Sequence, residues 1–137
     1  MSKHTIRRSE SGASAVEFAL LLPLLMMVLF GIIEFGFALY RQAILTNASR
    51  EGARLGIVQS IPAITNAQID AAIDNYLTSA GIPPGNVART IVAGGVTGTP
   101  VQVTLTLPYT FSVLPGLTSG SVAPLINLTA RTEMRHE

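Results

Sequence analysis

The chain has 137 residues, of which none is cysteine and only 12% are charged. Without cysteine, disulfide bonds and thiolate metal sites are excluded. Ordinary soluble domains contain about 25% charged residues, so this chain has unusually few. Its length leaves room for one domain. An apolar share of 48% beside so little charge indicates a membrane segment or the subunit of a polymer.

Histidine and clustered basic residues are also scarce. The two histidines, His4 and His136, lie near the two ends of the chain, where neither suits a catalytic base or a metal ligand in a domain core. The basic residues are scattered and the net charge is +1, whereas a nucleic-acid-binding domain carries a basic patch. No nucleophile motif, phosphate loop or cofactor fingerprint occurs. We therefore predict a non-enzyme without catalytic residues, cofactor or metal site, and without a nucleic-acid partner.

One long apolar run lies near the N-terminus. Residues 18–33 contain no charge, and Glu34 is the only charged residue from there to Tyr40. A helix over 18–40 would extend about 35 Å, enough to cross a hydrocarbon core of about 30 Å. The alternatives are a buried core helix and a secretory signal, whose apolar region is normally only about 7–15 residues long. We interpret Glu34 as marking the far membrane interface, with the N-terminus in the cytoplasm.

A glutamate stands at the entrance of this run. Glu17 follows Gly12 by five residues, within the sequence SGASAVEFALLLP. Acidic residues at membrane segments are rare and usually functional, although an interfacial glutamate that reaches water is the plainer alternative. A basic leader, then Gly12, then Glu17 and the aromatic Phe18, resembles the cleavage region of type IV prepilins.

Three spaced motifs narrow the resemblance. The chain contains EFALLLP at 17–23, GIIEFG at 31–36 and TNASREGAR at 46–54, and it ends in TARTEMRHE. In this order the motifs resemble the TadE-like pseudopilins and minor pilins of the Tad (tight adherence, or Flp) pilus system. Phenylalanine at position 18 is a small departure from the tyrosine that is usual in the Tad branch.

The resemblance implies processing and assembly roles for named residues. A prepilin peptidase would remove residues 1–12 by cutting between Gly12 and Ala13. Glu17, beside Phe18, would pair with the α-amine of a neighbouring subunit and set the register of a filament, because a paired charge in an apolar medium costs far less than an isolated one. The implied partners are the inner membrane, the prepilin peptidase, other pilins or pseudopilins, and the Tad assembly platform.

The apolar helix is expected to continue beyond the membrane. We assign 13–40 to the transmembrane helix and 41–60 to its extension, which belongs to an extracytoplasmic domain over 41–137. Small residues recur every four positions in the extension, at Ala48, Gly52 and Gly56. Glycine weakens a helix interior, so this spacing indicates close packing, either on the sheet of the same domain or on a neighbouring helix.

The rest of the domain predicts one helix and three strands. Thr65 and Gln68 form a potential capping box at the start of a helix over 65–80, Gly81 stops it, and its acidic residues Asp70 and Asp74 are expected to face solvent. Alternating apolar residues predict strands at about 87–92, 101–107 and 127–134, with a turn at Gly94-Gly95 and a loop over 108–126. The predicted fold class is α+β: a long N-terminal transmembrane helix that continues into a small pilin-like domain with a second helix and an antiparallel sheet.

Together these features predict a minor pilin or pseudopilin that acts in biogenesis, assembly or tip function of a Tad-type pilus for surface adhesion. The chain would cross the bacterial inner membrane once, with its C-terminal domain periplasmic or, in a pilus, extracellular. The alternative is an uncleaved single-pass anchor that holds a periplasmic binding or assembly module. The major pilus subunit is a third and weaker alternative, because Tad major pilins are usually much shorter.

Overall fold

The computed structural model describes residues 7–60, 62–92, 99–111 and 125–135. In chain order these form helices α1 and α2, a 3₁₀ turn, and strands β1 to β3, with the bounds Arg7–Gly56, Asn66–Ser79, Pro84–Asn86, Ala88–Val92, Pro100–Thr110 and Leu125–Arg135. The strands form one antiparallel sheet in the order β1-β2-β3. The predicted α+β class, with a long apolar helix, a second helix and a small antiparallel sheet, is confirmed.

The chain divides into two units. Of the described residues, the first unit contains 7–35, which form the N-terminal portion of α1, and residue 111. The second contains 36–60, 62–92, 99–110 and 125–135, and with them the rest of α1, α2 and the sheet.

In the first unit, α1 exposes large apolar side chains on all sides. Leu20 is 73% exposed, and Val16, Leu24 and Ile32 are each 60% exposed or more. Over an 18-residue stretch within Gly12–Gly56 the mean hydropathy reaches 2.5 and no residue is buried, so the helix is long and apolar enough to cross a membrane. Pro23 lies inside α1 and removes one backbone hydrogen bond, which membrane helices tolerate where neighbouring groups compensate.

The core of the second unit lies where the helices meet the sheet. The alternate residues of the central strand β2 are at most 3% exposed from Val101 to Leu107, which confirms the predicted alternation. α2 contributes Ile69, Ile73 and Leu77, each 0% exposed. On β3, Leu128 and Ala130 continue the buried face.

The signals at both ends of α2 are confirmed. The Thr65 backbone N–H donates to Gln68 Oε1 at 2.9 Å, and the Gln68 N–H donates in return to the Thr65 hydroxyl. At the other end Gly81 adopts φ +76°, a left-handed conformation that favours glycine. The Ile82 N–H then donates to the Leu77 carbonyl at 2.9 Å, which closes the last turn.

Two helix boundaries differ slightly from the prediction. α1 ends at Gly56, not at residue 60, and the Ile57 N–H makes a last helical bond to the Ala53 carbonyl at 3.2 Å. Glycine followed by two β-branched residues, Ile57 and Val58, has low helix propensity and accounts for the earlier end. α2 covers 66–79 because the predicted terminal residues, 65 and 80, are its caps.

The predicted loop over 108–126 was wrong at both ends. β2 continues to Thr110 and β3 begins at Leu125, so both strands are longer than predicted. The loop was predicted to begin at Pro108 because proline is normally excluded from central strands. β1 pairs only with Gln102–Thr106, so at Pro108 the strand β2 pairs with β3 alone and needs no N–H on its other side. The predicted turn at Gly94-Gly95 lies outside the described residues.

An arginine on β1 connects this strand to α2. The Arg89 guanidinium donates to the carboxylates of Asp70 and Asp74 and, at 3.1 Å, to the Pro84 carbonyl. The Arg89 side chain is 21% exposed, and the two carboxylate side chains are 41% and 44% exposed. Both aspartates are thus partly exposed, in line with the predicted solvent-facing side of α2, but their ion pairs with Arg89 were not predicted. Their partner lies 19 and 15 residues away in the chain, beyond the reach of helical periodicity.

Replacing Arg89 by methionine should lower the free energy of unfolding by about 1 kcal/mol, because it removes a partly screened ion pair. It also leaves two carboxylates four residues apart to repel each other. We expect the full-length protein in detergent micelles to unfold about 4–8 °C lower, as followed by circular dichroism. Arg131→Met is the control, since its pair with Glu133 is 3.6 Å long and more exposed. Equal shifts in both variants would contradict the connecting role.

Candidate functional site

The proposed cleavage site lies near the beginning of α1. Gly12 and Ala13 are both helical and exposed, and a Cβ added to Gly12 would meet no atom within 4 Å. The peptide bond between them is thus accessible, but it is held in a helix. A protease that binds an extended substrate must first unwind this turn, and glycine lowers that cost by about 1 kcal/mol relative to alanine.

Glu17 and Phe18 follow one turn later. Glu17 is exposed and lies four residues after Ala13, so the two share a helix face. Its neighbours Val16 and Phe18 are apolar and are 61% and 62% exposed. A carboxylate in such surroundings needs a cationic partner whenever the helix enters an apolar medium, because an isolated charge there is costly.

Glu34, at the other end of the apolar run, is buried. It is 3% exposed, whereas the adjacent Ile33 and Phe35 are 45% and 58% exposed. The interpretation as an interface marker did not anticipate this burial. Ala38, one helical turn onward, is also buried, at 4% exposed. Glu34 and Ala38 therefore share one face of α1, and the alanine is the one local sign of a buried face that the sequence offers.

The small residues of the helix extension lie where α1 approaches its own domain. Ala48 is 0% exposed. A Cβ added to Gly52 would come within 2.8 Å of Ile73 Cδ1 on α2, and one added to Gly56 within 2.7 Å of Val101 Cγ1 on β2. The sequence left open whether these residues face the domain or a neighbouring helix; in the structure α2 and β2 of the same chain occupy the space.

Polar contacts accompany this packing. The Ser49 hydroxyl is fully buried and donates to the Thr46 carbonyl at 2.8 Å, so the Thr132 hydroxyl, 2.7 Å away, is left to donate to Ser49. The Gln42 side-chain amide donates to the Thr129 carbonyl at 2.9 Å. Both contacts fix the register of α1 on β3. These two contacts were not predicted from the sequence because their partners are 83 and 87 residues apart in the chain.

The N-terminal part of the chain, which forms most of α1, matches a known protein family. The N-terminal segment is TadE-like: residues 12–54 match the family model described as TadE-like protein. The match begins at Gly12 and includes the motifs at 17–23, 31–36 and 46–54, so the predicted resemblance is confirmed over this segment.

The TadE-like match ends at Arg54, before α2 and the sheet. No curated protein and no solved structure matches the chain. Among the described residues, no group of three or more His, Asp or Glu side chains is placed to hold a metal ion. Because the TadE-like match lies within α1, the candidate functional surface is α1 itself, with Gly12, Ala13, Glu17 and Phe18 near its start.

Replacing Gly56 by alanine should destabilise the domain by about 1–2 kcal/mol, because overpacking a core costs about 1–3 kcal/mol and the gain in helix propensity returns at most about 1 kcal/mol. Val101, which the new Cβ would meet, is 0% exposed and has little freedom to move. Gly36→Ala is the matched control on the same helix, since no atom lies within 4 Å of its added Cβ. Thermal unfolding of the full-length variants in micelles tests this, and a control that is equally destabilised would refute it.

Proposed function

We propose that this chain is a minor pilin or pseudopilin that acts in biogenesis, assembly or tip function of a Tad-type pilus for surface adhesion. One observation carries the proposal: over residues 18–33 α1 is uncharged and exposes large apolar side chains, Gly12 and Glu17 lie at the entrance of this run, and the TadE-like match over 12–54 lies within the helix. A helix that is apolar all round requires lipid or other apolar helices around it. A pilin uses both environments in turn.

In this proposal the inner membrane first stores the subunit. Residues 13–40 cross the bilayer once, with the N-terminus cytoplasmic and the domain at 41–137 outside the cytoplasm. A prepilin peptidase removes the leader, residues 1–12, and leaves Ala13 with a free α-amine. The assembly platform then moves the helix from lipid into contact with other pilins or pseudopilins, so the same apolar surface stays out of water. The role is structural and not enzymatic.

Glu17 supplies the register of this transfer. A helix that is apolar on all sides packs against similar helices at many axial shifts with little difference in energy. A carboxylate that meets the α-amine of a neighbouring Ala13 favours one of these shifts, because any other leaves two charges unpaired in an apolar medium. The exposure of Glu17 beside apolar neighbours supports this role.

The second candidate is an uncleaved single-pass anchor that holds its domain in the periplasm as a binding or assembly module. The helical conformation around Gly12 is the observation that favours it, because a helical peptide bond resists proteolysis. N-terminal sequencing of the cellular protein separates the two: a chain that begins at Ala13 supports the pilin, and one that retains Met1 supports the anchor.

Replacing Gly12 by leucine should abolish removal of the leader and leave unprocessed chain in the membrane fraction. A Cβ added at Gly12 meets no described atom within 4 Å, so we expect the larger side chain to be accommodated without steric conflict. Gly31→Leu is the control within the same helix, where the space is equally open. Intact-mass measurement of the membrane-bound protein reads the outcome. Normal processing of the Gly12 variant would rule out the peptidase assignment.

Replacing Glu17 by alanine should leave membrane insertion nearly normal but reduce incorporation into pili more than tenfold, since an unpaired buried charge costs about 3–5 kcal/mol. The readout is the ratio of this chain in sheared pili to that in membranes, by quantitative mass spectrometry. Glu133→Ala, on the exposed surface of β3, is the control and should retain the wild-type ratio. An unchanged ratio for the Glu17 variant would remove the register role.

A further inference from the structure

The second unit has two chemically different ends. Arg41 on α1 places its guanidinium 5.3 Å from the centre of the Tyr109 ring, near the end of β2, while Gly56 faces Val101 near the start of β2. α1 therefore runs antiparallel to β2 along the length of the sheet. We call the end with residues 36–41, Tyr109 and Ile126 the proximal end, because the apolar run enters the domain there. The end with Gly56 and Val101 is the distal end.

Charge is almost absent from the proximal end. The chain has no charged residue between Arg89 and Arg131, so all of β2 and the first part of β3 are uncharged. On α1 the first charge after Arg41 is Arg50, about 14 Å farther along the helix axis. On β3 the first charge is Arg131, about 17 Å beyond Ile126, which pairs with Tyr109. Arg41 is thus the one charge over this depth of the described α1, β2 and β3.

The exposed side chains follow the same division. At the proximal end Phe37, Leu39 and Tyr40 are 59%, 57% and 61% exposed although they belong to the folded domain. At the distal end the exposed residues of α1 and β3 are charged, namely Arg50, Glu51, Arg54, Arg131, Glu133 and Arg135. If water surrounded the whole domain, nothing would favour apolar exposed residues at one end and charged ones at the other.

The residue types at the proximal end suit the surface of a bilayer. Tyrosine and other aromatic residues concentrate at the level of the lipid headgroups, where an apolar ring and a polar tip are both accommodated. Arginine at this level extends its apolar stem along the rings and its guanidinium toward phosphate. Tyr40 is an exposed aromatic residue of this kind, and the neighbouring Arg41 holds its guanidinium over the ring of the buried Tyr109.

We propose that the proximal end of the domain is seated in the headgroup layer of the bilayer that α1 crosses, with phospholipid as its partner. The headgroup layer is about 5–8 Å thick on each side, and the distance of about 14 Å along α1 from Arg41 to the next charge exceeds it. The domain therefore rests on the membrane and does not stand clear of it on a helical stalk. This inference rests on the proposed membrane anchoring and goes beyond it.

Tryptophan fluorescence tests the seating, because the chain contains no tryptophan and a single one is an unambiguous probe. Thr110→Trp places the probe at the proximal end on β2, away from α1. Val92→Trp is the control: Val92 is 53% exposed on β1 and pairs with Gln102 toward the distal end. Phe37→Trp reports on insertion of the helix itself. Each full-length variant is reconstituted into phosphatidylcholine–phosphatidylglycerol vesicles that contain headgroup-proximal spin-labelled lipid.

We expect quenching of the Thr110→Trp probe to be at least about twofold stronger than that of the Val92→Trp probe, which lies about 27 Å farther along the sheet. Quenching at Phe37→Trp alone would overturn the seating and leave the membrane helix intact. No quenching at any of the three would mean that the anchoring proposal itself fails. A blue-shifted but unquenched Thr110→Trp probe would show that protein, for example a second copy, covers this end, and equal quenching at Val92→Trp would also contradict the proposal.

Discussion

The structure depends on one helix that has to satisfy two different surroundings. Before residue 36 most of the surface of α1 carries large exposed apolar side chains, such as Leu20 and Phe35, although Glu34 is buried. After it, one face of the same helix is buried by the domain, from Ala38 to Ala53, while the opposite face carries Arg50 and Arg54. The apolar side chains before residue 36 are unfavourable in water and require lipid or other apolar helices around them. After residue 36 the apolar face of the helix is covered by the domain of the same chain. The change near residue 36 thus separates the part of α1 that is apolar enough to cross a membrane from the part that packs in the folded domain.

Local chemistry in the sequence was sufficient wherever the partners are close in the chain. Thr65 and Gln68 predicted the start of α2 because both capping bonds span three residues, and Gly81 predicted its end through a conformation of a single residue. The alternation along β2 predicted its buried face for the same reason. These features need no knowledge of the rest of the molecule, and the family motifs near Gly12 and Glu17 are equally local.

Contacts between distant segments were not predictable by the same means. Asp70 and Asp74 carry a solvent-facing pattern, and only the fold brings Arg89 to them. Pro108 indicated that no strand passes through this position. The structure accommodates it because β1 is short and does not reach Pro108 on that side of β2. Ser49 similarly lies in a polar motif, yet it is fully buried against Thr132. In each case the contact depends on where a distant segment lies in space, and the periodicity of the local sequence carries no information about that.

The motif at 46–54 is the part of the TadE-like segment that packs against the domain. Its small residues Ala48, Ser49 and Ala53 are 0% exposed, and Gly52 approaches Ile73 so closely that even a methyl group would overlap with it. Its charged residues Arg50, Glu51 and Arg54 lie on the exposed side. The buried side of the motif is therefore used within the chain and is not free to pack against another subunit. Along this stretch the surface of α1 that remains open is therefore the charged side, whereas before residue 36 the exposed surface is mostly apolar.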